Sequence, residues 1–286
     1  MESNGISLCY EAIGDAADPV MLLIMGVGEQ LIAWPDGFCE ILAGHGFRVI
    51  RFDNRDVGWS DWFDEAGDVD LAGLAAGDLS TVRYGLSDMV ADTVGLLAAL
   101  DVSRAHVVGV SMGGGIAQQM AIENPELVAS LASIMATTSD GKAGGSSIDN
   151  AAALLPQPGA DREVAIAADV ALFRLIGSPG FETSDAELIR RATAKVGRAY
   201  HPAGTLRQIA ANATAPDRTE RLRTLETPTV VIHGDSDPLV ELSGGRATAE
   251  AIPGAELLVV QGMGHDLPAG AWKLIVDAIV ANAAKA

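Results

Sequence analysis

Val107-Val108-Gly109-Val110-Ser111-Met112-Gly113-Gly114-Gly115 is the most informative stretch of this chain. An apolar, strand-like run ends abruptly in Gly-x-Ser-x-Gly, and helical spacing takes over behind it. A serine in that setting sits at the tip of a tight strand-to-helix turn, where a Cβ two residues to either side would clash. Gly109 and Gly113 meet that steric demand. The turn lifts the Ser111 hydroxyl above a sheet. It also aims the Met112 N–H, at the start of the next helix, at any oxyanion formed beside the serine. The pentapeptide alone is a weak signal in a glycine-rich chain, so its surroundings matter. His106-Val107-Val108 reads as a buried strand, Ile116, Ala117, Met120 and Ala121 form the apolar stripe of a helix, and Asn124-Pro125 stops it.

The whole chain has 286 residues and is 49% apolar, enough for one large core, and its length fits a single α/β domain with an insertion better than two equal domains. A formal net charge of −19 argues against nucleic acid or an anionic membrane as partner, because both are recognised by Lys and Arg clusters. Cys9 and Cys39 are too few for a disulfide framework and neither lies in a C-x-x-C motif, so free thiols in a reducing compartment are expected. The N-terminus lacks a basic stretch followed by an apolar one, and the longest apolar run, around Val20 to Met25, is too short to span a bilayer. These features predict a soluble, cytoplasmic protein. Neither H-E-x-x-H nor a Cys and His cluster occurs, so neither a metal nor a cofactor is expected.

Upstream of the turn, Ile6 to Ile13 alternates as an edge strand does, and Val20 to Met25 is the continuous apolar run of a strand buried on both faces. That run ends at Gly26-Val27-Gly28, whose Val27 N–H is the candidate second oxyanion donor. Trp34-Pro35 starts a helix with Phe38, Ile41 and Leu42 on one face, and Phe47 to Phe52 is the next strand. The Asp53-Asn54-Arg55-Asp56 cluster behind it reads as turn-building through side-chain-to-backbone hydrogen bonds rather than as chemistry. Asp61 to Tyr84 is expected to be a long loop near the site entrance, and Ser87 to cap a helix running through Leu100.

Downstream, Leu127 to Met135 reads as a strand, and from about Gly144 to Arg221 no strand pattern follows. The chain therefore divides into a core of residues 1–140 and 222–286 and a helical lid, or cap, of residues 141–221. A helix from Asp161 to Ile176 is apolar almost all round, which predicts that it is buried or covers an apolar cavity. Leu172 and Phe173 are the residues expected either to line a pocket above Ser111 or to anchor the lid. Ser184-Asp185-Ala186-Glu187 is a capping box that starts another helix. The sheet resumes at Pro228 to Gly234 and leads into Asp235-Ser236-Asp237, and a last strand ends in Gly262-Met263-Gly264-His265. An acid and a histidine thus each follow an apolar strand, in the order Ser, Asp, His, with Asp235 and Asp237 both available as the acid. His45, His106, His201 and His233 read as structural.

Over its length apart from the lid, the chain resembles the α/β-hydrolase superfamily. Leu23-Ile24-Met25-Gly26, Trp34-Pro35, Ile50 to Asp56, the Ser111 turn and Gly262 to His265 look like its serine-esterase branch containing aclacinomycin methylesterase. The resemblance implies a mostly parallel sheet flanked by helices, with Ser111 as nucleophile, His265 as base, Asp237 as acid and Met112 and Val27 as oxyanion donors. Met25 departs from it, standing where many relatives carry histidine. The expected activity is hydrolysis of a small-molecule carboxylic ester. A lactonase or cofactor-free perhydrolase would use the same triad, and a ligand-binding module could retain it as a clamp. Dehalogenase and epoxide hydrolase chemistry are disfavoured, because they place Asp where this chain has Ser111.

Overall fold

The computed structural model describes residues 1–149 and 158–286. Its N-terminus forms a small two-stranded ladder, β1 (Glu2–Ser3) against β2 (Ile6–Ser7). The main sheet comprises β3 (Tyr10–Ile13), β4 (Val20–Ile24), β5 (Arg48–Phe52), β6 (Ala105–Val110), β7 (Val128–Ile134), β8 (Thr229–Gly234) and β9 (Glu256–Val260). Its spatial order is β3-β5-β4-β6-β7-β8-β9, with only β3 antiparallel. The expected single strand from Ile6 to Ile13 is therefore two. The break falls where the Cys9 N–H and C=O turn to Ser60 Oγ and the Asp53 N–H.

All five residues of β4 are buried, as its unbroken apolar run requires of a strand covered on both faces. Leu22 and Ile24 pack on α3 (Leu86–Ala99) and α4 (Met112–Glu123) through Met89, Leu96, Ile116 and Met120. Met21 and Leu23 pack on the other side against α1 (Asp36–Gly44) and α10 (Trp272–Ala283), through Phe38, Leu42, Ile275 and Ile279. The period of two along the strand thus separates two cores. From β4 the chain first adds β5 on one side, then crosses to add β6 on the other. The switch point lies between β4 and β6, where a crevice opens at the carboxyl ends of parallel strands.

Several local expectations are corrected. Helix α3 begins at Leu86 and not behind a Ser87 cap, because the Asp88 carboxylate accepts from the Gly85 N–H at 2.8 Å, while Ser87 Oγ accepts from Gln119. The loop from Asp61 to Tyr84 contains a short helix, α2 (Leu71–Ala75), capped by Asp70. Ile41 is exposed rather than part of the packed face of α1.

Between β7 and β8 lie α5 (Arg162–Ile176), α6 (Asp185–Arg198), α7 (Pro202–Ala213) and the short α8 (Thr219–Leu222). Ser184 caps α6 by accepting from the Glu187 N–H. Helix α5 is not buried all round: Ala165, Val170 and Ile176 are covered, whereas Val164 is 55% and Leu175 48% exposed. It packs mainly on α6, so one stripe suffices. The remaining helix, α9 (Leu242–Ala251), covers β8.

Candidate active site

Ser111 lies between β6 and α4 at φ 56° and ψ −122°, a conformation that side chains rarely adopt. Holding a non-glycine residue there costs on the order of 1–3 kcal/mol, so the surroundings must enforce it. A Cβ on Gly109 would sit 2.1 Å from Gly113 O, and one on Gly113 would sit 2.1 Å from Ile24 O. Both glycines are needed for the turn to fit against the end of β4.

Above the turn, Ser111 Oγ is 3.0 Å from His265 Nε2, and His265 Nδ1 is 2.7 Å from Asp237 Oδ2. With the carboxylate accepting, Nδ1 carries the hydrogen and Nε2 is left to accept from the serine hydroxyl. Asp237 Oδ1 accepts from the N–H groups of Leu239 and Val240, both at 2.9 Å. Burial opposes ionisation of Asp237, yet hydrogen bonds from His233 and His265 outweigh it and hold its pKa at about 2. Asp235 turns elsewhere, accepting from the Gly262 N–H and the Ser236 hydroxyl.

His233 is fully buried with Nε2 2.8 Å from Val240 O and 3.5 Å from Asp237 Oδ2. It braces the acid from behind. His106 bonds Ser130, and His201 stacks on Trp62 and bonds Asp64, while His45 is exposed at the end of α1. Among the described residues, no group of three or more His, Cys, Asp or Glu could hold a metal ion.

The loop after β4 lies against the serine, since a Cβ on Gly26 would be 3.2 Å from Ser111 Cβ. Neither the Val27 N–H nor the Met112 N–H has a hydrogen-bond partner among the described residues. The acidic and basic cluster after β5 clamps this loop: Asn54 Nδ2 donates to Met25 O at 3.0 Å, and Asp53 Oδ1 accepts from the Leu31 N–H at 2.7 Å. The loop is also tied to the helical insertion. Gly28 N–H donates to Gln208 Oε1 at 2.8 Å, and Lys195 of α6 bridges Glu29 to Asp169 of α5. Nothing in the sequence pattern marks that bridge, because its members stand far apart in the chain.

Phe173 packs with Val170, Leu188 and Ala192 between α5 and α6, under the guanidinium of Arg191 at 5.1 Å. Leu172 is half-buried on the same helix.

A family model described as alpha/beta hydrolase fold matches residues 19–268. The chain belongs to that family. Within it, rhodomycin D methylesterase DauP of Streptomyces sp. (strain C5) is 30% identical, over 97% of this chain and 95% of that protein. Among solved structures, the esterase RhEst1 of Rhodococcus sp. ECU1013 superposes with a TM-score of 0.75 at 22% identity, covering 98% of this chain and 96% of that one. The enol-lactonase of Burkholderia xenovorans LB400 superposes with a TM-score of 0.72 at 21% identity, over 98% and 97% of the two chains. At those identities the structures speak for the shared fold alone. No helix among the described residues is long and apolar enough to cross a membrane.

Proposed function

We propose that this α/β-hydrolase cleaves carboxylic esters through an acyl-enzyme formed on Ser111. The observation that carries the reading is the continuous hydrogen-bonded chain from Ser111 through His265 to Asp237. A hydroxyl is a weak nucleophile at neutral pH, so His265 Nε2 takes the Ser111 proton as Oγ attacks the ester carbonyl. Asp237 holds the imidazole in the tautomer that accepts at Nε2 and stabilises the imidazolium that forms. The carbonyl oxygen, now an oxyanion, receives the N–H groups of Val27 and Met112. His265 then returns the proton to the leaving alkoxide, and water repeats the sequence to free the acid.

The methylesterase relative supports a small alcohol group, and we propose a methyl ester as substrate. Of the cap of residues 141–221, residues 150–157 lie outside the described residues; helices α5 to α8 act in this reading as a cover over the site, with Leu172 as a candidate lining residue. The free thiols Cys9 and Cys39 fit a cytoplasmic location. A lactone is an internal ester, so the same groups would open one. A panel of methyl esters, longer alkyl esters and lactones, run alongside Ser111→Ala, tests the reading. Turnover of esters by the parent, a loss of several orders of magnitude in the variant and fluorophosphonate labelling at Ser111 are expected. Rates in Ser111→Ala equal to those of the parent would overturn it.

A further inference from the structure

The loop that carries His265 is not held by the sheet alone. It is stitched to the segment leaving α5, 88 residues away in sequence. The His265 N–H donates to Ile176 O at 2.6 Å, so the last carbonyl of α5, which no helical N–H can reach, is satisfied by the histidine's own backbone. Two residues on, the Ser178 hydroxyl accepts from the Gly264 N–H at 2.9 Å and donates to Asp266 Oδ1. The Gly180 N–H then donates to Gly262 O at 2.8 Å. At that crossing the backbones touch, since a Cβ on Gly262 would lie 2.6 Å from the Gly180 Cα.

Ser178, His265 and Asp266 are all buried. The residues that flank His265 on both sides are therefore fixed by one hydroxyl of the insertion. We propose that Ser178 and Asp266 are positioning residues for His265, so that the insertion is part of the catalytic geometry.

The inference rests on His265 being the general base. It gives a role to a buried acid that the proton transfers above do not use. The charged and titratable groups around Asp266 are His265 on its own loop and Arg191 on α6, with the Ser178 hydroxyl on the segment after α5. Burial pushes its carboxyl upward, while those three hold the shift in check. Around His265 stand Asp237 on the loop after β8, Ser111 after β6 and Asp266 itself.

The test compares Asp266→Asn, Ser178→Ala and His265→Ala with the parent enzyme on one ester, with rates taken per active site by fluorophosphonate titration. Asp266→Asn keeps the side-chain shape and removes the charge. Its kcat should fall roughly ten- to a hundredfold with KM nearly unchanged, because a displaced base slows the chemical step more than binding. The neutral amide holds the Ser178 hydroxyl more weakly than the carboxylate does, so the loop carrying His265 loses part of its anchor. Ser178→Ala should lower kcat at constant KM as well. If Asp266→Asn does not fold, Ser178→Ala decides alone. Per-site kcat within about twofold of the parent in both variants overturns the inference even if melting temperatures fall. Full activity in His265→Ala instead sinks the triad on which it rests.

Discussion

Asp56 and Asp237 are both buried carboxylates just past the end of a parallel strand, yet their surroundings differ in kind. Asp56 is saturated. Arg207 binds it through two nitrogens at 2.9 and 2.8 Å, and Tyr84 Oη and the Phe63 N–H each donate at 2.8 Å. Its main partner is permanently charged and otherwise bonds Gly67 O and Asp64, so the group locks α7 onto the loop after β5. Asp237 spends one oxygen on its own turn and gives the other to a histidine, whose far nitrogen faces Ser111. A buried acid is therefore not in itself a sign of chemistry. The difference lies in whether its partner can exchange a proton with a third group at the surface of a crevice.

That comparison can be broken most severely at the reacting end. Asp237→Asn should cost on the order of ten-thousand-fold in kcat, because an amide stabilises the wrong histidine tautomer, with about 2 kcal/mol or less of stability lost. Asp56→Asn should do the reverse. Leaving Arg207 buried beside a neutral amide is expected to cost about 3–5 kcal/mol of stability, measured by denaturant unfolding, while activity per folded molecule persists. If both variants lost activity without losing stability, the distinction drawn between the two acids would fail.

A smaller effect should appear in acid. Asp237 is held at about 2, below the usual carboxylate range, so its ionisation stabilises the fold above the ordinary pKa and that contribution is lost as pH falls from about 4 to 2. The difference corresponds to about 2 kcal/mol, and the unfolding free energy of Asp237→Asn should lack this component of the pH dependence. Phe173→Ala is expected to lower stability by about 3 kcal/mol or less, given its half-buried site between α5 and α6, without changing the ranking of esters by chain length. A changed ranking at constant stability would place Phe173 in the pocket instead. Asp235→Asn should be mildest, within about 1 kcal/mol for an exposed turn and with kcat nearly unaltered. A large loss of kcat there would shift the role of acid to Asp235.

The elements most legible in the sequence are those whose signal is local. The apolar run of β4, the steric demand for glycine around Ser111 and the Ser184 cap on α6 each follow from residues a few positions apart. Ser111, Asp237 and His265 could each be placed just beyond a strand for the same reason. The errors also have local causes. Asp88 competed with Ser87 for the start of α3, and the apolar count along α5 did not say which residues a single neighbouring helix would cover. The sequence by itself determined a parallel α/β sheet, a strained serine turn, and an acid and a histidine at strand ends. Only the tertiary structure decided that His265 lies 2.7 Å from Asp237 and 3.0 Å from Ser111, that Lys195 bridges Glu29 and Asp169, and that Ser178 reaches Asp266. Hydrophobic period and turn chemistry act over a few residues. These partners stand tens to more than a hundred positions apart, and they meet only because strand order and close backbone packing bring the carboxyl ends of the sheet and the inserted helices together.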